Sequence, residues 1–338
     1  MKNKSAIHIQ LYEPHFNYGI NLVKGLKTNT GDFAEYDIFI LTDTEEIKEK
    51  FRIAASEILV NKNVNLLSLE NVLEKDFDHL EYNENYEQCH KNISDGKSVF
   101  SHWGSSFNHV RKWLCIKRAY GILELERRGY DYVWCIDAES YPGRPFNISE
   151  IFSSNWEKTL VSVSEEGGWN DTRITTEVFG YDPSKEITQK LMKCGVRIND
   201  FWIINTSIFK SMINELTQKH RNPVSYFIVG CEQAAYELYC YYNYLNGNMD
   251  IECIEFGNKV FGDLFDSPVF PSESDVYLHD LFSWVIHTNT DISKFTGRMN
   301  QIYFNKVLCY RGDRSRSIPY QVFEQFNVKF LCSNAQGK

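Results

Sequence analysis

The chain has 338 residues, of which 43% are hydrophobic, 24% charged and 15% aromatic, and its formal net charge is −9. That size and balance describe a globular chain with ample material for a core, and the acidic excess argues against a nucleic-acid partner, because it repels a polyphosphate backbone. Its 9 cysteines include no Cys-x-x-Cys pair and several have apolar neighbours (Cys115, Cys135, Cys253), which points to reduced, buried thiols in a cytoplasmic protein rather than to disulfides or a structural zinc site.

In chain order, Ala6–Tyr12 is a short alternating run broken by His8 and Gln10. It predicts a strand and is too polar for a signal segment or a membrane span. No later stretch approaches the about 18 uninterrupted apolar residues of a spanning helix. The expectation is a soluble cytoplasmic protein, with at most peripheral contact at the inner face of a membrane. Gly19–Leu26 predicts a helix with Ile20, Val23 and Leu26 on one face. Tyr36–Leu41 (YDIFIL) is the apolar run of a buried parallel strand. It ends in Thr42-Asp43, which suits an N-cap for a helix over Glu45–Ala55. Glu57–Val60 and Val64–Leu67 suit one or two short strands, and the polar Asp76–Ser98 a long loop or insertion.

Val110–Arg128 predicts a helix whose broad apolar face holds Val110, Leu114, Ile116, Ala119, Tyr120, Leu123 and Leu125, stopped by Gly129. Its basic residues Arg111, Lys112, Lys117 and Arg118 are expected mostly on a solvated face. Tyr132–Ile136 (YVWCI) is a second buried strand, and the alternation of strand and helix predicts an α/β fold with a mostly parallel sheet flanked by helices. Leu160–Val163 and Phe201–Ile204 predict later strands, Cys231–Tyr242 a helix, and Ile251–Phe256 and Trp284–Ile286 short strands. One domain over residues 1–300, with a 301–338 extension packed on it, is the simplest organisation.

The sharpest local feature is Asp137-Ala138-Glu139, directly at the carboxyl end of YVWCI. Ligands of open α/β sheets bind outside the carboxyl ends of strands. Carboxylates so spaced can converge on a hard cation, Mg²⁺ or Mn²⁺, which favours oxygen ligands and substrate phosphates. The competing reading is a plain turn.

The stretch KWLCIKRAYGILELERRGYDYVWCIDAESYPGRPFNISEIF resembles the GT-A glycosyltransferases, in which a helix, an apolar strand and an Asp-x-Asp precede a short polar stretch and an apolar helix. Glu139 departs from that pattern, standing where Asp is usual. The resemblance implies a Rossmann-like nucleotide-diphospho-sugar transferase architecture, with the donor bound by about residues 1–145 and the acceptor by about 146–300. It implies metal-assisted transfer from a nucleotide sugar, a UDP-sugar by family frequency, to a glycan, lipid-linked or protein acceptor.

By the same resemblance, FWIINTSIFK (Phe201–Lys210) looks like the acceptor-side strand, with Asn205 facing the sugar. Glu232, in Gly230-Cys231-Glu232-Gln233, would face the reacting sugar, and Asp263 is the second candidate for a catalytic base. His287 would be a third metal ligand and Lys294 a diphosphate ligand. Tyr12, Thr42 and Asp43 would lie beneath base and ribose, and Arg111 or Lys112 would reach the phosphates or ribose. The resemblance to the retaining members at His287 favours retention.

Two other classes stay open. A haloacid-dehalogenase-type phosphatase also places Asp after an apolar strand, and Gly262-Asp263…Asp266 is similar to its later acidic motif, but Glu139 stands where a second Asp is required. A carbohydrate- or nucleotide-binding protein without catalysis is the other. A nucleotidyltransferase needs a glycine-rich basic loop after the first strand, where this chain has Glu13-Pro14-His15-Phe16.

Overall fold

Apolar runs with turn residues between them set the strands of this protein. The computed structural model describes residues 3–11, 13–76, 109–138, 140–142, 145–149, 151–152, 159–164, 179–193, 195–196, 201–219, 232–256, 309–313 and 330–334. The strands are β1 (Ser5–Gln10), β2 (Asp37–Thr42), β3 (Val64–Ser68), β4 (Tyr132–Asp137), β5 (Tyr141–Pro142), β6 (Thr159–Ser164), β7 (Gly195–Val196), β8 (Phe201–Asn205), β9 (Ile251–Phe256), β10 (Cys309–Asp313) and β11 (Phe330–Asn334). The helices are α1 (Phe16–Asn29), α2 (Glu45–Ala54), α3 (Ser56–Leu59), α4 (Leu69–Asp76), α5 (His109–Arg127), α6 (Glu186–Lys193), α7 (Thr206–Lys219) and α8 (Glu232–Leu245).

The main sheet has five strands in the order β3-β2-β1-β4-β8. The first four are parallel, and β8 runs antiparallel beside β4. This is an α/β architecture with helices on both faces. Ile7, Ile9, Ile38, Ile40, Trp134 and Ile136 pack on one face with Val23 and Leu26 of α1 and Phe51 of α2. Ala6, Phe39, Leu41, Val133 and Cys135 pack on the other with Ala119 and Ile122 of α5, Phe209 and Met212 of α7, and Tyr236 of α8. Every residue of β1 is buried, as a strand covered on both faces requires.

Two small sheets accompany it, β7-β6-β9 and β10-β11-β5. In the second, β11 from the carboxyl-terminal part of the chain pairs antiparallel with β5, which follows Asp137 closely.

Several expectations need correction. Glu57–Val60 is not a strand: Ser56–Leu59 is a helical turn, because Val64–Ser68 already takes the edge of β2. Thr42-Asp43 does not cap α2. Thr44 does, its side chain accepting from Ile47 N at 3.2 Å, while Thr42 completes β2. The strand read at Phe201–Ile204 is β8, and the rest of the segment to Lys210 that resembles an acceptor-side strand is the start of α7. Trp284–Ile286 and nearly all of Asp76–Ser98 lie outside the described residues.

Candidate functional site

The strand order fixes where a ligand belongs. From β1 the chain builds outward to β2 and β3, then crosses back to place β4 on the other side of β1. The reversal falls at the carboxyl ends of β1 and β4, the switch point at which open α/β sheets bind ligands. Gln10 and Asp137 are register partners at that edge. Gln10 Nε2 donates to Asp137 Oδ1 at 3.4 Å.

Helix α5 brings two cations beneath this edge. Successive helical residues point about 100° apart, so Lys117 and Arg118 serve different neighbours. Arg118 donates through Nη2 to Asp137 Oδ1 at 2.9 Å and through Nη1 to Glu232 Oε1 at 2.8 Å. It thereby joins the end of β4 to the first residue of α8. Lys117 donates to the Leu11 carbonyl at 3.1 Å and pairs with Asp43 Oδ1 at 2.9 Å, joining the ends of β1 and β2. Burial lowers the pKa of the Lys117 ammonium, and the Asp43 carboxylate opposes that shift.

Below these charges, on the same face of the sheet, His8 and Cys135 are register partners with Nδ1 and Sγ 4.0 Å apart. Burial, with the positive charges of Arg118 and Lys117, pushes the His8 imidazole down to about 3, so it is neutral near pH 7. Burial pushes the Cys135 thiol well up, which leaves it protonated and unreactive. Gly121 of α5 covers His8: a Cβ there would collide with the His8 ring.

The structure thus brings Asp137, Glu232 and Asp43 together through α5. Glu232 is fully buried, and its Oε2 has no hydrogen-bond partner among the described residues. Thr42 is fully buried too and donates to the Leu67 carbonyl at 3.2 Å, which ties β2 to β3. Asn205 is not brought to this edge. It pairs with Tyr132 at the opposite end of β4, on the order of 16 Å from Asp137 at about 3.3 Å per residue. Its Oδ1 caps α7, accepting from Ser207 N at 3.1 Å and Ile208 N at 3.2 Å. Tyr12, Glu139, Asp263, His287 and Lys294 lie outside the described residues, as do the side chains of Arg111 and Lys112 on the first turn of α5.

Sequence reasoning missed Lys117 as a buried group and Arg118 as a half-buried one paired across the fold. A signal existed: Lys117 falls three residues after Leu114 and three before Tyr120, inside the apolar stripe of the helix. A cation there is buried, and a buried cation is paired.

Among the described residues no group of three or more His, Cys, Asp or Glu side chains could hold a metal. Asp137 is the one described donor of the sequence-predicted set. Its described hydrogen bonds all go to Oδ1, so Oδ2 suits a hard cation that takes one or two carboxylate oxygens and completes its shell with phosphates. No described helix is long and apolar enough to cross a membrane.

No protein-family model matches the chain, and no curated protein matches it in sequence. Among solved structures it is similar to the mannosyltransferase Ktr4p from S. cerevisiae in complex with GDP, at 15% identity and a TM-score of 0.46 over 70% of this chain and 66% of that one. The chain spans just under two thirds of Ktr4p in this structure and in a second one, 66% and 65%. Core-mannan synthase A from Aspergillus fumigatus, in its Mn/GDP form, matches at 10% identity and a TM-score of 0.44 over 75% of this chain and 73% of that one. Mouse xyloside xylosyltransferase 1 matches at 10% identity and a TM-score of 0.40 over 99% of each chain. The structural neighbours of this chain are glycosyltransferases.

Proposed function

We propose that the protein transfers a sugar from a nucleotide-diphosphate sugar to a hydroxyl of a glycan, lipid-linked or protein acceptor, with a divalent metal. One observation carries the reading: the acidic motif begins with Asp137 at the switch point of the sheet, held there by Arg118 and Gln10. Asp137, with Glu139 and His287, would hold Mn²⁺ or Mg²⁺. When bound, the metal neutralises charge on the departing diphosphate. Asp43, with Tyr12, serves the nucleoside, for which uridine is the first choice. Lys294 and Arg111 or Lys112 serve the diphosphate.

Glu232 is buried and spends Oε1 on Arg118. With Oε1 so taken, we read Glu232 as an electrostatic residue rather than as the base that must meet the acceptor hydroxyl. It sets the field at the reacting sugar through Arg118 instead. That assignment favours retention, with Asp263 the base candidate if the enzyme inverts. A phosphatase of the haloacid-dehalogenase type requires a second aspartate where this chain has Glu139, which speaks against that reading.

The test is binding and hydrolysis of a panel of nucleotide sugars, with and without Mn²⁺, on wild type and Asp137→Asn. The amide keeps an acceptor for Arg118, so the fold is spared. Metal-dependent release of one nucleotide, reduced about 10²-fold or more in the variant, is expected. Failure to bind any nucleotide sugar overturns the reading.

A further inference from the structure

We infer that Lys117 is a positioning residue for the donor nucleoside, holding Asp43 so that its second carboxylate oxygen receives the ribose hydroxyls; this rests on the proposed nucleotide-sugar reading. Lys117 is 1% exposed, whereas the Asp43 side chain is 33% exposed. The pair therefore has a dry end and a wet end, and the carboxylate is the end that faces a ligand. Desolvating an ammonium is costly, and an apolar side chain of similar volume often serves stability as well or better. Stability alone thus gives little reason for a lysine here. Its geometry gives another.

The ammonium is anchored at two points just past the ends of β1 and β2, the Leu11 carbonyl at 3.1 Å and Asp43 Oδ1 at 2.9 Å. Leu11 is itself fixed, its N–H donating to the Leu41 carbonyl at 2.9 Å. The backbone at Asp43 is held as well, its carbonyl accepting from Glu70 N at 3.2 Å. Asp43 is thus fixed by its backbone and by one oxygen, and Oδ2 is left for the ligand.

An ionised carboxylate only accepts hydrogen bonds. Its ligand must donate, which excludes a phosphate and fits a ribose diol. The ends of β1 and β2 then receive the nucleoside, and the diphosphate lies toward Asp137. Acidic residues in this part of nucleotide-binding sheets take ribose hydroxyls in the same way.

The experiment compares binding of UDP and 2′-deoxy-UDP, and of GDP and 2′-deoxy-GDP, to the full chain by calorimetry. Wild type, Lys117→Met, Asp43→Asn and the double variant are measured, with the urea midpoint of each. Wild type should prefer the ribose form of its nucleotide by about tenfold or more, the worth of a hydrogen bond to a charged group. Lys117→Met should bring that ratio close to one while the protein stays folded, a change that a purely structural lysine does not produce. Asp43→Asn should lower the ratio independently, and the double variant should be no worse than either single one. A ratio kept in Lys117→Met, or additive losses in the double variant, overturns the inference. A wild type that binds nucleotides but ignores the 2′-hydroxyl also overturns it and leaves the donor reading standing. A wild type that binds no nucleotide overturns both.

Discussion

Arg118 faces two carboxylates, and its removal leaves both without their cation. Glu232 is fully buried, so water cannot replace the lost guanidinium there. Breaking such a pair from one side costs about 3–5 kcal/mol, because an uncompensated charge stays inside. Arg118→Met should lower the free energy of urea unfolding by about that much, and adding Glu232→Gln should recover part of the loss. If the second change recovers nothing, the cost lies in packing. Gly121→Ala is a second test at this scale. The added methyl would overlap the buried His8 ring, an overpacking worth about 1–3 kcal/mol in the same measurement. Residue identity at the site was legible only where a short motif carried it. Asp137 stands at the end of an apolar strand and declares itself. Arg118 does not, because Glu232 lies 114 residues further on and only the fold brings it back. A helical charge with no visible partner is assigned to solvent, and here that rule failed.

Helix and strand ends decide which side chains can meet. Asn205 closes β8 and opens α7, and its Oδ1 accepts from Ser207 N and Ile208 N. Truncating such a cap costs about 1 kcal/mol, whereas aspartate in its place keeps it. Asn205→Ala should therefore lower stability by about 1 kcal/mol, Asn205→Asp by less, and both should leave turnover per folded molecule unchanged. A large fall in kcat at unchanged stability would return Asn205 to the chemistry. The strand itself was readable from FWII, but its direction was not. An antiparallel strand beside β4 turns its carboxyl end away from Asp137, and hydrophobic pattern carries no sign of direction. β2 and β4 were readable because a strand covered on both faces is largely apolar, and β1 because its run alternates. α4 was not: in a helix of 8 residues, Leu69 and Val72 are too few anchors to set a period.

The sheet as a whole makes the switch point, and no local pattern contains it. Helix–strand alternation implies parallel strands with helices on both faces, yet the order β3-β2-β1-β4-β8 appears only when the chain folds. The same order places His8 in the middle of the sheet under α5, where burial first and the charges of Arg118 and Lys117 next push its imidazole to about 3 from an ordinary 6.5. The sign of the consequence follows from the two states. Above about pH 6.5 folded and unfolded chains both carry neutral imidazole, so the contribution of His8 is fully present. Below that, the unfolded chain takes up a proton that the folded chain refuses. Stability then falls by about 1.4 kcal/mol per pH unit until the folded group titrates near 3. His8→Leu removes the titration and keeps an apolar side chain of similar size. Urea unfolding of the variant should lose less stability between about pH 6 and about pH 4 than wild type does. Parallel slopes in the two proteins would mean that other groups set the acid limb and that His8 is protonated in the fold at an ordinary pH.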